Sequence, residues 1–333
     1  MARILVTAPN ELPWSVGRHL VRGLEASGHT VCLFDYRSAR RVADELLARV
    51  DEFRPEVHLL YKGELLRPET IHAVRERGVY AIHWHCDVDE GLPPWLLGLA
   101  RAHDAFFTQA YAMVARLQEA GVERSAWLSA GFEPTAHQVD TITEADRKRY
   151  GSQVAFTGRI VNHVIYAGRV DMIKRVLQEG IDIKWWGHHI PRKLRTFGLL
   201  FSGVRRAWGG EFAHHQGYAK IARLAKIMLG HDSYPQLEKT LSSRAYLACG
   251  CGGFYLARYV KGMEEIFELD REIVVFETLD EMVEKIRYYL THDAERRRIA
   301  EAGRRRVLEH YTYQKRFEQM FHALRNWGEL DIV

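Results

Sequence analysis

The stretch that decides the fold lies in the last third of the chain. It runs Leu241-Ser-Ser-Arg-Ala-Tyr-Leu-Ala-Cys-Gly-Cys-Gly-Gly-Phe-Tyr-Leu256, continues through Lys261-Gly-Met-Glu-Glu265 and reaches Glu272-Ile-Val-Val-Phe276. This pattern predicts a helix, a glycine corner, a strand, a second helix opened by glycine, and another strand. Glycine corners at the carboxyl ends of strands aim backbone N–H groups into a crevice, and helix amino termini add partial positive charge. Such a crevice suits a diphosphate, so we predict a nucleotide-activated ligand.

The composition is that of a globular chain without a strong charge bias. With 333 residues, of which 47% are hydrophobic, the chain can bury a large core, and its length favours two domains. Lysine and arginine number 47 against 43 aspartate and glutamate, a net charge of only +4. This balance argues against nucleic acid as a partner.

The cysteines and the apolar segments bear on the cellular location. The four cysteines lack the spacing of a secreted disulfide framework, which favours reduced thiols. The first apolar run stops at Pro9, and no stretch approaches the roughly 18 apolar residues of a membrane span. We therefore expect a cytoplasmic protein, with attachment to the inner face of a membrane left open.

The first half of the chain alternates strand and helix patterns. Strands are predicted at residues 3–7, 30–34, 57–61, 79–84, 105–108 and 125–128, with helices between them at 16–27, 42–53, 69–77, 95–102 and 110–120. Repeated strand–helix–strand units of this length indicate a parallel sheet covered on both faces.

A polar stretch up to Tyr150 separates this half from a second one. The alternation resumes with a strand at 154–158, a helix at 164–180 and a strand at 181–186, and the chain is mostly helical from Asp280 onward. We predict an N-terminal domain at 1–140 and a C-terminal domain at 141–312. The remaining helix, 313–333, is a candidate to return to the N-terminal domain.

The chain resembles the GT-B glycosyltransferases, and within them the CgeB/YkvP-like group related to glycosyltransferase family 4. The resemblance is carried by Gly17 to Val31, by Phe156-Thr-Gly-Arg159, and most specifically by Arg244 to Phe254 followed by Lys261-Gly-Met-Glu-Glu-Ile-Phe267. It implies an α/β protein of two Rossmann-like, doubly wound parallel-sheet domains facing a central cleft. The N-terminal domain would bind the acceptor, and the C-terminal domain would bind a nucleotide diphosphate sugar.

The resemblance also implies a set of donor-binding residues. Arg159 would neutralise the leaving diphosphate, and the backbone of Gly262 and Met263 would contact phosphate. The full set is Gly158, Arg159, Gly187, His188, Arg244, Lys261, Gly262, Met263 and Glu264. The structural alternatives are that Gly158 only ends a strand and that Arg244 forms a surface ion pair.

One position departs from the family pattern. Related enzymes carry a glutamate after the aromatic residue of the helix before the glycine corner, where it binds the ribose, but here Leu247 follows Tyr246. The residue eight places earlier is Lys239, so the paired glutamates of family 4 are missing. Either Glu238 or Glu272 takes over this contact, or nucleotide binding has changed.

The acceptor site is expected in the loops that follow the N-terminal strands. Asn10, Glu11 and Trp14 follow the first strand, and His83-Trp-His-Cys-Asp-Val-Asp89 follows the fourth. A carboxylate or imidazole in the second segment could accept the proton of the acceptor hydroxyl, with Asp87 as the first candidate and His85 as the second. Two alternatives exist for residues 83–89: the histidines only pack at the end of the strand, or the segment binds a metal ion. The resemblance itself implies neither a metal nor a cofactor.

Residues 191–217 mix basic groups with an aromatic and apolar run. Such a segment either covers the C-terminal domain or lies on an anionic membrane.

Together these features favour a glycosyltransferase that acts on a glycan, lipid-linked or protein acceptor. The alternatives are a non-catalytic protein that binds nucleotide sugars or glycans, and a nucleotide-sugar epimerase.

Overall fold

The protein folds into two compact α/β units. The computed structural model describes residues 1–12, 15–88, 91–160, 166–190 and 197–329. The first unit comprises Met1–Glu133 with His310–Val333, and the second comprises Pro134–Glu309. In the described part of the chain, no helix is both long enough and apolar enough to cross a bilayer.

The first unit contains a six-stranded sheet in the order β2-β1-β3-β4-β5-β6, with every pairing parallel. Its strands are β1 (Arg3–Thr7), β2 (Thr30–Phe34), β3 (Val57–Tyr61), β4 (Tyr80–His85), β5 (Ala105–Thr108) and β6 (Ser125–Trp127). The helices between them are α1 (Gly17–Ala26), α2 (Val42–Phe53), α3 (Pro68–Arg75), α4 (Pro94–Ala102) and α5 (Tyr111–Glu119). Strands β3 and β5 are buried along their whole length, as expected of a parallel sheet covered on both faces.

The second unit repeats this plan, with sheet order β12-β11-β10-β7-β8-β9 and parallel pairing throughout. Its strands are β7 (Ser152–Thr157), β8 (Ile183–Trp186), β9 (Trp208–Gly210), β10 (Ala225–Gly230), β11 (Tyr255–Arg258) and β12 (Val274–Phe276). Its helices are α6 (Glu144–Tyr150), α7 (Ala167–Gln178), α8 (Phe197–Leu200), α9 (Gly203–Arg206), α10 (Gln216–Leu224), α11 (Ser243–Gly250), α12 (Leu279–Thr291) and α13 (Asp293–His310). The predicted fold class, with two doubly wound parallel sheets, is confirmed.

The last helix, α14 (Tyr313–Asn326), packs in the first unit against α1. Its buried side chains Tyr313, Phe317, Met320 and Leu324 join the core on one face of the first sheet. The two helices cross closely at Gly23, where an added Cβ would lie 2.8 Å from the Cβ of Tyr313. The end of the chain thus completes the N-terminal core.

The second unit differs from the predicted pattern in three places. Only one 3-10 turn, Met263–Glu265, replaces the second glycine-opened helix. The sequence also gave no sign of β9, and β10 was not assigned although it lies at the centre of its sheet.

Candidate functional site

The second sheet reverses its winding direction between β7 and β10. These two strands are neighbours, with β8 and β9 on one side of the pair and β11 and β12 on the other. Ligands of open α/β sheets bind at the carboxyl ends of strands where the order reverses in this way. At this point β7 is followed by Gly158 and Arg159, and β10 is followed by His231 and Asp232.

Close packing at the end of β7 requires two of the predicted glycines. A Cβ on Gly158 would lie 2.8 Å from the Phe156 ring, and a Cβ on Gly187 would lie 2.4 Å from the Gly158 carbonyl oxygen. The Gly158 N–H donates to the Trp186 carbonyl at 2.9 Å. Gly158 therefore lets the chain turn tightly at this edge, while its own amide is used within the protein.

Arg159 presents a charged group at this edge. Its side chain is exposed, and within the described part of the chain its guanidinium forms no hydrogen bond or ion pair. The backbone carbonyl of Arg159 is held by Arg169, whose Nη1 donates to it at 3.0 Å. The guanidinium is thus available to a ligand, and its contact with a diphosphate stays a prediction.

Arg169, on α7, ties the two loops of the switch point together. Its Nε donates to the His231 carbonyl at 3.0 Å, and its Nη2 donates to the Ser233 hydroxyl at 3.0 Å. The side chain is buried, and burial together with the nearby Arg244 lowers the pKa of Arg169 to about 9. Sequence analysis missed this residue.

Arg244, on α11, is neutralised by Asp232. Its Nη2 lies 2.9 Å from Asp232 Oδ1 and 3.0 Å from the His231 carbonyl oxygen. Its Nε is buried without a partner in the structure, and the side chain is only 15% exposed. Arg244 therefore forms an ion pair, as one alternative predicted, but the pair with Asp232 is largely buried and does not lie on the helix surface.

Arg258 completes the group at the end of β11. Its Nη1 lies 3.3 Å from Nε2 of His231, and its side chain is half-buried. Burial, then the charges of Arg258 and Arg169, lower the pKa of His231 to about 4. We name Arg159, Arg169, Arg244 and Arg258, together with His231 and Asp232, the arginine cluster.

The arginine cluster carries a marked excess of positive charge. It contains four guanidinium groups and one carboxylate, and His231 is neutral at physiological pH. The buried or half-buried cations among them, Arg169, Arg244 and Arg258, attract anions strongly, since water screens them poorly. The cluster can therefore bind an anionic group such as a diphosphate.

The predicted phosphate contacts at Lys261–Met263 find little geometric support. The Met263 N–H donates to the Val260 carbonyl at 3.0 Å, and the exposed Lys261 side chain pairs with Glu238 at 2.9 Å. Gly262 has φ +80°, which favours glycine, and the Glu264 carboxylate accepts from the Tyr259 hydroxyl at 3.0 Å. The Met263 amide and the Lys261 ammonium therefore already have partners within the chain, whereas a phosphate contact by the Gly262 amide stays a prediction.

His188 lies on the other side of β7, after β8. Its Nδ1 lies 3.2 Å from the Glu211 carboxylate, and the Nδ1 of His189 lies 3.3 Å from the other oxygen of the same group. Both imidazoles are exposed. A donor contact by His188 remains a prediction.

The acids considered as substitutes for a ribose-binding glutamate are both engaged. Glu238 pairs with Lys261, whereas Glu272 accepts from the Glu268 N–H at 2.8 Å and lies 3.6 Å from Arg306. Leu247 is half-buried on α11. Neither carboxylate is free to replace the missing one in this conformation.

The first sheet has its own switch point, between β1 and β3, and the predicted acceptor residues lie around it. Asn10 donates its N–H to Asp35 at 3.1 Å, and Glu11 pairs with Arg37 at 2.9 Å. Arg37 also contacts Glu64, so one guanidinium joins the loops that follow β1, β2 and β3. Trp14 lies outside the described residues.

Asp87 is accessible and His85 is not. The Asp87 side chain is 51% exposed and pairs with Lys62 at 2.9 Å. His85 is 1% exposed, with its ring near those of His83, Phe106 and Trp95, so it cannot touch an acceptor in this conformation. His83 and His85 are therefore packed at the end of the strand, which is the structural alternative given above. Asp89 lies outside the described residues.

No group of three or more His, Cys, Asp or Glu side chains is placed to hold a metal ion in the ranges that the structure describes. The polar edge of each sheet is instead organised by ion pairs, which involve Arg244 in the second unit and Arg37 and Lys62 in the first.

Comparisons with known proteins bear on the fold and on the second unit. Three solved structures match almost end to end. A glycosyltransferase from Rickettsia africae matches with a TM-score of 0.69 and 9% identity, over 97% of this chain and 98% of that one. A sucrose-phosphate synthase from Thermosynechococcus elongatus matches with a TM-score of 0.67 and 12% identity (98% and 99% of the two chains), and HepE from Anabaena in complex with UDP-glucose with a TM-score of 0.67 and 11% identity (98% and 100%). The fold is GT-B. At these identities the likeness concerns the GT-B architecture alone.

Sequence comparison adds one further match. A family model described as glycosyl transferase-like matches residues 169–322, slightly less than half of the chain. This segment of the GT-B fold begins at Arg169 and includes the carboxyl ends of β10 and β11, and hence most of the arginine cluster. No curated protein sequence matches the chain.

Proposed function

We propose that this protein is a glycosyltransferase that moves a sugar from a nucleotide diphosphate sugar to a hydroxyl-bearing acceptor. The observation that carries the proposal is the arginine cluster at the switch point of the second sheet. Its excess positive charge suits a diphosphate, and it lies largely within the glycosyl transferase-like segment. A GT-B neighbour in complex with UDP-glucose makes this donor the first to test.

The two accessible arginines would act on the leaving group. As the bond between the anomeric carbon and the diphosphate oxygen breaks, the electron pair passes to the diphosphate, and its charge grows. Arg159 and Arg258 would stabilise that charge. Arg169 holds the backbone of Arg159, and Arg169 and Arg244 together hold the backbone of His231, the partner of Arg258. His231 holds the Arg258 donor before the reaction, and a donor fixed in this way needs no reorganisation during it.

The first unit would bind the acceptor. Asp87 is our proposed general base, because its carboxylate is exposed and can accept the hydroxyl proton as the acceptor oxygen attacks the anomeric carbon. Asn10, Glu11 and Trp14 remain the proposed acceptor contacts. The acceptor class that we propose is a glycan, a lipid-linked molecule or a protein.

A membrane contact is proposed for the described part of the 191–217 segment. Phe201 is 75% exposed, and the neighbouring Arg205 and Arg206 are exposed as well. An aromatic side chain beside two cations suits the surface of an anionic bilayer at the inner face of the cytoplasmic membrane. Sedimentation with vesicles that contain anionic lipid tests this contact, and no binding at low salt would exclude it.

Thermal unfolding with UDP, GDP and their glucose conjugates tests the donor proposal. A ligand that binds only the folded state raises the melting temperature, so the preferred base should stand out. A matched control is Arg297→Met, which removes one charge from an 80% exposed side chain on α13. Arg159→Met should abolish the shift with UDP, and Arg297→Met should preserve it.

Product analysis then separates transfer from the two alternatives. Release of nucleotide that depends on an added acceptor would support the transferase. Conversion of the donor sugar without an acceptor would indicate an epimerase. Binding without turnover would indicate a non-catalytic protein, an alternative motivated by Leu247 and by the engagement of Glu238 and Glu272.

A further inference from the structure

The four guanidinium groups of the arginine cluster differ in what they contact. Arg169 uses three of its nitrogens on oxygen atoms of the protein, and Arg244 is paired with the Asp232 carboxylate. In the described residues, Arg258 forms one hydrogen bond, to Nε2 of His231, and no ion pair. Arg258 therefore keeps its full charge and most of its N–H donors.

The hydrogen bond between Arg258 and His231 fixes the state of the imidazole. A guanidinium can only donate, so Nε2 of His231 must be the acceptor and cannot carry a proton. The proton of the neutral ring then lies on Nδ1, which is buried and has no hydrogen-bond partner among the described residues. His231 is consequently an uncharged acceptor for Arg258.

The surroundings hold the imidazole in place. The His231 carbonyl accepts hydrogen bonds from both Arg169 and Arg244 at 3.0 Å. The ring lies against the first turn of α7, where a Cβ on Gly168 would come within 2.5 Å of Nε2. The side chain is 5% exposed, so solvent does not compete for this contact.

We propose that His231 is a positioning residue that orients Arg258 through a neutral hydrogen bond and so leaves the charge of Arg258 for the diphosphate of the donor. A carboxylate at position 231 would hold the guanidinium equally well but would neutralise it, as Asp232 does for Arg244. This inference rests on the proposed function, because the anion that Arg258 meets is taken to be the donor diphosphate.

Two substitutions of equal size separate this role from a packing role. His231→Gln places a neutral amide oxygen near the position of Nε2, whereas His231→Glu places a charged oxygen of the same reach there. We expect calorimetric titration with UDP to give a dissociation constant within about threefold of the wild type for His231→Gln, and about tenfold weaker binding for both His231→Glu and Arg258→Met. Arg297→Met is the charge control and should bind as the wild type does.

Equal affinities of His231→Gln and His231→Glu would overturn the inference, whether both bind normally or both bind weakly. Inorganic pyrophosphate serves as a second probe. A wild-type protein that binds pyrophosphate but not UDP would contradict the proposed nucleotide donor, while the Gln/Glu contrast measured with pyrophosphate would still decide the role of His231. Binding of neither probe would overturn both proposals.

A measurement on the wild-type protein covers the case in which a variant fails to fold. In ¹⁵N spectra of the imidazole nitrogens, the His231 signals can be assigned by their absence from any folded variant at this position or by through-bond connection to the backbone. We expect protonated Nδ1 and unprotonated Nε2 at pH 7. A ring that is protonated at Nε2, or a charged ring, would contradict the proposed hydrogen bond.

Discussion

Lys62 and Asp87 join the ends of two neighbouring strands, with Nζ of the lysine 2.9 Å from Oδ2 of the aspartate. Lys62 adopts φ +75°, a left-handed conformation that is uncommon for a residue with a side chain. The ring Nε2 of buried His83 lies 2.8 Å from the Lys62 carbonyl oxygen, and the Lys62 N–H donates to the Trp84 carbonyl. The buried part of β4 thus fixes the backbone that carries the ion pair.

Replacing Asp87 with asparagine tests its proposed role as the base. We expect kcat to fall by about 100-fold or more, because general-base catalysis typically contributes that much, while the dissociation constant for UDP stays unchanged. Asp51→Asn is the matched control, since Asp51 is also exposed and pairs with Arg77. Unchanged kcat in Asp87→Asn would remove Asp87 from the mechanism.

Gly158→Ala tests the packing at the end of β7. The new methyl group would meet the Phe156 ring at 2.8 Å and Nη1 of Arg244 at 3.4 Å, so we expect a loss of about 1–3 kcal/mol of stability, as for other overpacked sites. We also expect weaker UDP binding, because Arg159 follows directly. Chemical denaturation and calorimetry measure the two effects.

A second substitution relieves the clash and sharpens this test. Phe156→Leu shortens the side chain that the added methyl group meets, so the double variant should recover part of the UDP affinity lost in Gly158→Ala. Gly198→Ala is the control, since a Cβ there meets nothing within 4 Å. Normal UDP binding by Gly158→Ala alone would show that this corner does not position the site.

The first unit should lose stability in acid. Burial, above all, lowers the pKa of His58 to about 3 and of His103 to about 4, and it lowers the pKa of His83 as well. The folded state therefore binds fewer protons than the unfolded state below the ordinary histidine pKa of about 6.5. The stability conferred by neutral rings is complete above that pH and is lost as the pH falls toward the folded pKa values.

Denaturant unfolding between pH 7.5 and pH 5 measures this effect. Each buried histidine should contribute up to about 1.4 kcal/mol per pH unit below 6.5, so the slope should approach three times that value. A folded His103→Gln variant should show a slope smaller by about one third. A flat profile would contradict the burial of these rings.

The helix crossing at Gly23 predicts that the end of the chain is needed by the first unit. Gly23→Val would push against Tyr313 and Phe317, and we expect it to cost at least about 1–3 kcal/mol. In limited proteolysis, the variant should be cut near residue 310 sooner than the wild type. Equal cleavage rates would argue against the close contact of α1 with α14.

The sequence predicted most of the architecture because apolar periodicity marks buried strands clearly. All six predicted strands of the first unit lie within one residue of the observed bounds, and β3 and β5 match them fully. The β10 strand was overlooked, although Ile227-Met-Leu229 is an apolar run that ends at Gly230. Because β10 was not predicted, the sequence did not point to His231 and Asp232, which follow its carboxyl end.

The arginine cluster could be predicted only in part. Arg159 and Arg244 were named from the family pattern, but Arg169 lies on a helix and Arg258 at a strand end with no motif of its own. These residues are spread over 100 positions of the chain, and the order of strands in the sheet brings them together. The glycines at 158 and 262 were visible in sequence, whereas the hydrogen bonds that occupy the nearby amides were not.

A structure of the protein with UDP bound would test the central claim most directly. We predict that the diphosphate lies at the carboxyl ends of β7 and β10, with its oxygen atoms within hydrogen-bond distance of the Arg159 and Arg258 guanidinium groups. A nucleotide bound elsewhere on the protein, with both guanidinium groups still facing solvent, would contradict the account.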